Sequence, residues 1–152
     1  MTKRQMCLRA MALTLLFGFI LVGLPGHEVR AQERGVVVIA NSSVPDSALD
    51  RRTLANIFLK KKSTWSNRDS IEIVTLAGGA VHDQFLRDVV GKNPKQYSSH
   101  WARLVFTGTG KAPRSFKDEG ELVGYVASVR GAIGYVSAGA DLTGVKRIAV
   151  QD

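Results

Sequence analysis

The chain alternates short apolar runs with segments of helical periodicity, and this alternation limits the folds that it can adopt. Gly35–Ala40 contains a continuous run of valine and isoleucine followed by a polar turn, which is typical of a strand buried on both faces. Ile71–Leu76, Gly131–Val136 and Val145–Val150 are predicted as further strands. Because strands that alternate with helices form layered sheets, we expect an α/β fold with a mainly parallel sheet and helices on both faces.

Four segments between these runs carry apolar residues at helical spacing. They are predicted as helices from Ser47 to about Lys60, from Val81 to Val90, from Pro94 to Phe106 and from Asp118 to Val129. Gly91 is expected to end the second helix, and Pro94 to start the third with Trp101 and Val105 pointing inward. The stretch from Thr107 to Ser115 is predicted as a loop, and Trp65 is expected to turn inward from another loop.

The first 31 residues have the pattern of an export signal. A basic start is followed by an apolar run from Ala10 to Leu24, which is about 15 residues long and therefore short for a membrane span. Cleavage is expected near Ala31, so that residues 32–152 form a single domain in the periplasm or outside the cell. An uncleaved membrane anchor is the alternative.

The charge of the exported part favours an anionic partner. Residues 32–152 contain 17 lysines and arginines against 12 aspartates and glutamates, a net charge of +5. Such an excess attracts a small anion, an acidic partner or an anionic surface. Nucleic acid is not expected as a partner, because the sequence has no recognition motif and no alternation of basic with aromatic residues.

The sequence predicts neither an enzyme nor a cofactor. The only cysteine, Cys7, lies in the export signal, and His82 and His100 are the histidines that remain after its removal, so no metal site is expected. No nucleophile elbow is present, and no pair of acids on one turn is expected to act in catalysis. Thr107–Lys111 follows a helix rather than a strand and lacks the Gly-Lys-Ser/Thr ending of a nucleotide-binding loop.

Three segments in order carry a resemblance to a known family. Ala55–Trp65 resembles the "IFLGK…W" segment of the phosphate-binding proteins of ABC transporters, and Gly131–Val136 resembles their "GAIGYV" segment. Val37–Asn41 is similar to the strand with which these two-lobed proteins enter their second lobe. The resemblance implies a periplasmic-binding-protein-like fold, of which we expect this chain to have the second lobe only, with no first lobe before it.

The resemblance also implies where an anion would bind. In the family, a turn of the form Arg-x-Asp-Gly-Ser-Gly-Thr meets phosphate with a guanidinium, hydroxyls and backbone N–H groups. The matching stretch here is Thr75–Val81, in which Gly78 is retained and the arginine, aspartate and serine are replaced. What remains is a nest of backbone amides at the start of a helix. Without the arginine and without a second lobe to close over the ligand, we expect weak binding of phosphate.

Recognition of a small anion, phosphate first, for an ABC transporter is the function that these observations favour. The candidate ligand-binding residues are Ser42, Ser43, Thr75, Gly78, Gly79, Ala80, His82 and Lys111. Two interpretations stay open, because the hydroxyls can satisfy local backbone groups and His82 can be a plain surface residue. The alternative function is a periplasmic interaction module that has lost solute binding, with a transporter permease or another envelope protein as its partner. A homodimer that rebuilds a two-lobed clamp also stays open.

Overall fold

The computed structural model describes residues 35–152, in which helices cover both faces of a six-stranded sheet. The strands are β1 (Val36–Asn41), β2 (Ala48–Asp50), β3 (Glu72–Leu76), β4 (Arg114–Phe116), β5 (Ala132–Ser137) and β6 (Val145–Gln151). The helices are α1 (Arg51–Phe58), α2 (Ala80–Phe85), α3 (Pro94–Phe106) and α4 (Glu119–Ser128), and a π-helical turn, Leu86–Val90, continues α2. The predicted export signal lies outside the described residues.

The strand order in the sheet is β2-β6-β1-β5-β3-β4. β2 runs parallel to β6, and β5, β3 and β4 run parallel to one another. β1 is antiparallel to both of its neighbours, with Ile39 opposite Gly134 of β5 and Arg147 of β6. The expected α/β fold with a mainly parallel sheet is therefore confirmed, and β1 is the strand that runs in the reverse direction.

Two adjacent residues of β5 show how the two faces of the sheet are covered. Side chains alternate between the faces along a strand, so Gly134 and Tyr135 point to opposite sides. On the Gly134 side, a Cβ atom placed on the glycine would lie 2.9 Å from the Leu122 side chain of α4. On the other side, the Tyr135 ring stacks on Phe85 at 3.8 Å between centroids and lies 5.7 Å from Phe58. Hence α4 covers one face, and α1 and α2 cover the other.

Capping side chains set where α1 and α3 begin. Asp50 accepts a hydrogen bond from the N–H of Thr53 at 2.8 Å, so α1 starts at Arg51 and not at Ser47 as predicted. The residues before it pair with β6 as the short strand β2. At α3 the prediction is confirmed, because Pro94 is the first helical residue and Asn93 forms a capping box before it.

Trp65 joins the loop after α1 to the start of β5. Its side chain is 3% exposed, as the sequence predicted, and its Nε1 donates to the carbonyl oxygen of Gly131 at 2.9 Å. Gly131 itself has a φ of 74°, in the left-handed region that favours glycine. None of the helices between residues 35 and 152 combines the length and the apolar character needed to cross a bilayer.

Replacing Gly131 with alanine should destabilise the fold by about 3 kcal/mol, because the positive φ is strained for any L side chain and a steric clash adds to that strain. A Cβ at this position would lie 2.3 Å from the backbone oxygen of Ser70, which cannot move independently of its chain. The free energy of unfolding in urea, measured on residues 32–152, tests this.

Gly124→Ala is the matched control for this experiment. Gly124 lies within α4, and a Cβ there would meet no atom within 4 Å. Alanine should therefore raise the free energy of unfolding by about 0.5–1 kcal/mol through its better helix propensity. Equal stability of the Gly131→Ala and wild-type proteins would show that the turn is not constrained as described.

Candidate ligand-binding site

A cleft of about 760 Å³ opens at the carboxyl end of β3. Its walls come from the turn between β3 and α2, from one side of α3 and from the segment that leads into β4. The carboxyl ends of parallel strands are where such sheets usually place ligands. Of the residues predicted to bind a ligand, Thr75, Gly78 and His82 line this cleft, and Gly79 and Ala80 continue the same turn.

Two hydroxyl groups form a polar part of the wall. Thr75, which is 3% exposed, is in register with Ser115 of β4, and the two side-chain oxygens are 3.0 Å apart. One hydroxyl donates to the other, which leaves one hydroxyl proton without an acceptor among residues 35–152. An oxygen atom of a ligand in the cleft can accept a hydrogen bond from this hydroxyl. Sequence reasoning missed Ser115 because it placed this residue in a loop.

The turn between β3 and α2 is exposed, and no side chain caps the backbone N–H groups at the start of α2. Gly79 is the N-cap residue of α2, with φ of 96° and ψ of 172°, and no side chain caps the helix. These dihedral angles are almost exclusive to glycine. Gly78 and Gly79 are both exposed, and a Cβ on either would meet no atom within 4 Å. The N–H of Ala77 already donates to the carbonyl of Phe116 at 2.8 Å.

His82 lies between the cleft and the core. It is 8% exposed, so the interpretation of a plain surface residue is wrong, and its Nδ1 is 2.5 Å from the Tyr135 hydroxyl oxygen. Burial lowers the pKa of His82 below its ordinary value, although the Asp83 carboxylate opposes the shift. Burial raises the pKa of Tyr135, which stays protonated. When neutral His82 accepts a hydrogen bond from the Tyr135 hydroxyl at Nδ1, its own proton lies on Nε2.

The α3 side of the cleft is apolar. The Tyr97 and Trp101 rings are buried, with centroids 6.4 Å apart, and the Tyr97 hydroxyl donates to the carbonyl of Phe58 at 3.2 Å. The Trp101 indole N–H lies near that hydroxyl but makes no hydrogen bond of ordinary geometry within the described residues. Phe106 and Val105 line the cleft at 91% and 48% exposure. Val105 therefore does not point inward as predicted.

The cleft offers hydrogen-bond donors without positive charge. No lysine or arginine of residues 35–152 lines it, whereas Asp83 does. The described part of the chain also holds no cluster of three or more histidine, cysteine or acidic residues able to bind a metal ion. An anion in this cleft would be held by neutral donors, which give weaker hydrogen bonds than a guanidinium does.

Ser42 and Ser43 lie at the opposite end of the sheet from the cleft. β1 is antiparallel to β5, so it ends where β5 begins, and the N–H of Gly131 donates to Ser43 Oγ at 3.2 Å. β3 runs parallel to β5, so the carboxyl end of β3 lies at the opposite end of the sheet from Ser43. The structure thus corrects the predicted grouping of these serines with Gly78, which assumed that β1 and β3 run in the same direction.

Lys111 lines a neighbouring groove rather than the cleft. This basic groove has a volume of about 590 Å³ and is lined by Lys60, Lys111 and Arg114 together with Glu72. Ala112 and Pro113 line both the groove and the cleft, so the two lie side by side. The predicted site residues are therefore divided among three places: the cleft, the basic groove and the opposite end of the sheet.

No protein-family model matches this chain, and no curated protein matches it in sequence. Solved structures match it in fold. An ABC-type phosphate transport receptor from Vibrio cholerae has a TM-score of 0.58 and 17% identity, over 76% of this chain and 46% of the receptor. PstS from Borrelia burgdorferi has a TM-score of 0.58 and 12% identity, over 77% of this chain and 47% of PstS.

At these identities the similarity establishes the fold. This chain spans less than half the length of either solved protein, as expected for a single lobe of a periplasmic-binding-protein-like fold. The resemblance inferred from Ala55–Trp65 and Gly131–Val136 is thereby confirmed at the level of structure.

The stability of the protein should fall as the pH falls below about 6.5, in part because of His82. Its pKa is lowered in the folded state from the ordinary value of 6.5, which it regains on unfolding. The unfolded chain therefore binds the proton first, and the free energy of unfolding decreases until the pH is below the lowered folded pKa. Urea titrations between pH 7.5 and pH 5 should give a smaller decrease for His82→Gln. The same decrease in both proteins would contradict this assignment.

Proposed function

We propose that this chain, after removal of residues 1–31, is a periplasmic substrate-binding lobe that recognises a small anion, phosphate first. The observation that carries the proposal is that three kinds of donor face one cleft: the spare proton of the Thr75–Ser115 pair, the open Gly78–Gly79 turn and the His82 ring. The solved phosphate transport receptor of the same fold supports it. Delivery of the anion to an ABC transporter permease is part of the proposal.

These donors suit the oxygen atoms of a tetrahedral anion. A hydroxyl of the Thr75–Ser115 pair, backbone N–H groups of the turn and Nε2–H of His82 can each donate to a different oxygen. Hydrogen bonds to a charged acceptor contribute about 1.5–3 kcal/mol each when they are shielded from water. The cleft is open, so part of this free energy is lost because water competes for the same donors. We therefore expect a dissociation constant of about 1 mM, equivalent to about 4 kcal/mol.

Asp83 makes the cleft selective among anions. Its carboxylate repels a ligand that can only accept hydrogen bonds, but it can accept one from a ligand that carries an O–H group. Phosphate at neutral pH carries at least one such group, and sulfate carries none. The proposed site should therefore prefer phosphate to sulfate at equal ionic strength.

Gly78→Asp should abolish binding of phosphate, because it places a second carboxylate against the turn. Gly78→Ala is the matched control, since it adds the same Cβ into open space without a charge and should keep most of the binding. Gly78 is preferable to Gly79 for this test because the φ of 96° at Gly79 strains any side chain. The measurement is the melting temperature of residues 32–152 with phosphate, sulfate or chloride at matched ionic strength. A rise with phosphate that survives in Gly78→Asp would place the anion elsewhere.

A second candidate function, docking of an envelope protein or of a second copy of the chain, is favoured by one specific observation. Phe106 is 91% exposed at the mouth of the cleft, beside Val105. Burial of such a ring against a partner contributes about 2 kcal/mol. An apolar rim of this kind contributes nothing to holding an inorganic anion, which leaves it available for contact with another protein.

Phe106→Ser should weaken that association by about thirtyfold while leaving the effect of phosphate on melting unchanged. Val150→Ser is the matched control, because Val150 is an exposed apolar residue of β6 away from the cleft. Sedimentation of residues 32–152 tests the homodimer, and cross-linking in the cell envelope tests another partner. If Phe106→Ser and Val150→Ser behaved alike in both measurements, docking at this rim would be excluded.

A further inference from the structure

Three cationic side chains from three different elements converge on the basic groove. Lys60 follows α1, Lys111 lies in the loop before β4, and Arg114 is the first residue of β4. None of them forms an ion pair within residues 35–152. Glu72 is the one acidic residue among those that line the groove, and it accepts a hydrogen bond from Tyr125 at 3.4 Å. The described lining thus has an excess of two positive charges.

Lys60 occupies a backbone conformation that does not suit it. Its φ is 60°, and Arg68 is the only other non-glycine residue of the described range with a positive φ. The residue that follows a helix in this conformation is usually glycine, because a Cβ is disfavoured there. The helix dipole does not explain the lysine, since Lys61 and Lys62 already place positive charge at the end of α1. A strained residue that carries its charge into a groove indicates a role for that charge.

The loop that carries Lys111 is packed firmly enough to hold this charge in place. A Cβ on Gly110 would lie 3.3 Å from Leu104 and 3.5 Å from the Trp101 ring, so the loop rests directly on α3. The N–H groups of Thr109 and Gly110 donate to the carbonyl of Leu104 at 2.9 and 3.2 Å. These two N–H groups are therefore already paired, and Lys111 contributes a side-chain cation to the groove.

Arg114 is held in a comparable way. Its guanidinium carbon lies 4.9 Å from the centroid of the Tyr125 ring, and β4 fixes its backbone opposite Val74. Cations that are held near one another repel, and an anion with several negative charges bound between them offsets that repulsion. A monovalent anion can satisfy one of these cations, whereas an anion with several charges can contact all three.

We infer that the basic groove binds a small polyvalent anion, such as a diphosphate or a polycarboxylate, at a site distinct from the Gly78 turn. The inference does not rest on the proposed function, because it uses the charges of Lys60, Lys111 and Arg114 and none of the donors in the cleft. Pyrophosphate and citrate are suitable probes, since they carry similar charge on phosphate and carboxylate groups.

Lys60→Gly gives an unusual combination of effects. It removes the unfavourable φ and should raise the melting temperature by about 3 °C. It should also weaken binding of pyrophosphate or citrate by about three- to tenfold, because one of three cations is lost. Lys111→Ala should weaken binding to a similar degree. Lys61→Ala is the matched control, because Lys61 is exposed, neighbours Lys60 and does not line the groove. It should change the affinity less than twofold.

Calorimetric titration at low ionic strength is the measurement, with every variant made in the Gly78→Asp background so that the cleft does not contribute. Binding of pyrophosphate alone would identify a phosphoanion, and binding of citrate as well would identify any polyvalent anion; both results support the site. Absence of binding for both probes would overturn it, as would equal affinities for Lys60→Gly, Lys111→Ala and Lys61→Ala. Failure of phosphate to bind in the cleft would leave these titrations unaffected, so the two proposals fail separately.

Discussion

The requirement to cover both faces of β5 organises the rest of this structure. Gly134 lets α4 approach the sheet on one side, and Tyr135 fills the space between the sheet and the other helices by stacking on Phe85. A buried phenol needs a hydrogen-bond partner, and His82 provides it. The packing of the core thus fixes the position of a ring that also lines the cleft. His82 therefore belongs both to the core, through its Nδ1, and to the lining of the cleft.

Hydrogen-bond donors and positive charge are separated on this surface. The cleft at the end of β3 holds hydroxyls, open backbone amides and an imidazole, but its described lining includes the carboxylate of Asp83 and no cation. The cations lie next to it in the basic groove, beyond Ala112 and Pro113. A turn that retained its arginine would have combined both features in one place. The separation explains why a single tight anion site is not evident and why the two surfaces are expected to prefer different ligands.

Local sequence patterns predicted the long elements well because each pattern reflects burial along one segment. Pro94 and Gly91 bounded their helices as expected, and the strand after Gly131 was placed within one residue. The three-residue strands β2 and β4 were missed, since so few residues show no alternation and their pairing depends on distant partners. The burial of His82 was missed for the same reason, because Tyr135 is remote in sequence. The residues of β1 likewise do not indicate the direction in which the strand runs. The assumption of a parallel β1 therefore placed Ser42 and Ser43 at the wrong end of the sheet.

The position of β1 in the sheet has a consequence for how the chain is made. β1 is synthesised before every other described strand, yet it lies between β5 and β6, so that Val38 pairs with Tyr135 on one side and Ile148 on the other. Its backbone groups therefore have no partner strand until β5 and β6 have been made. Contacts so distant in sequence form slowly, because the entropic cost of closing a long loop comes before the contacts contribute any stabilisation. The described sheet cannot close until β6 has been made, so completion of this fold follows the synthesis of its strands and does not accompany it.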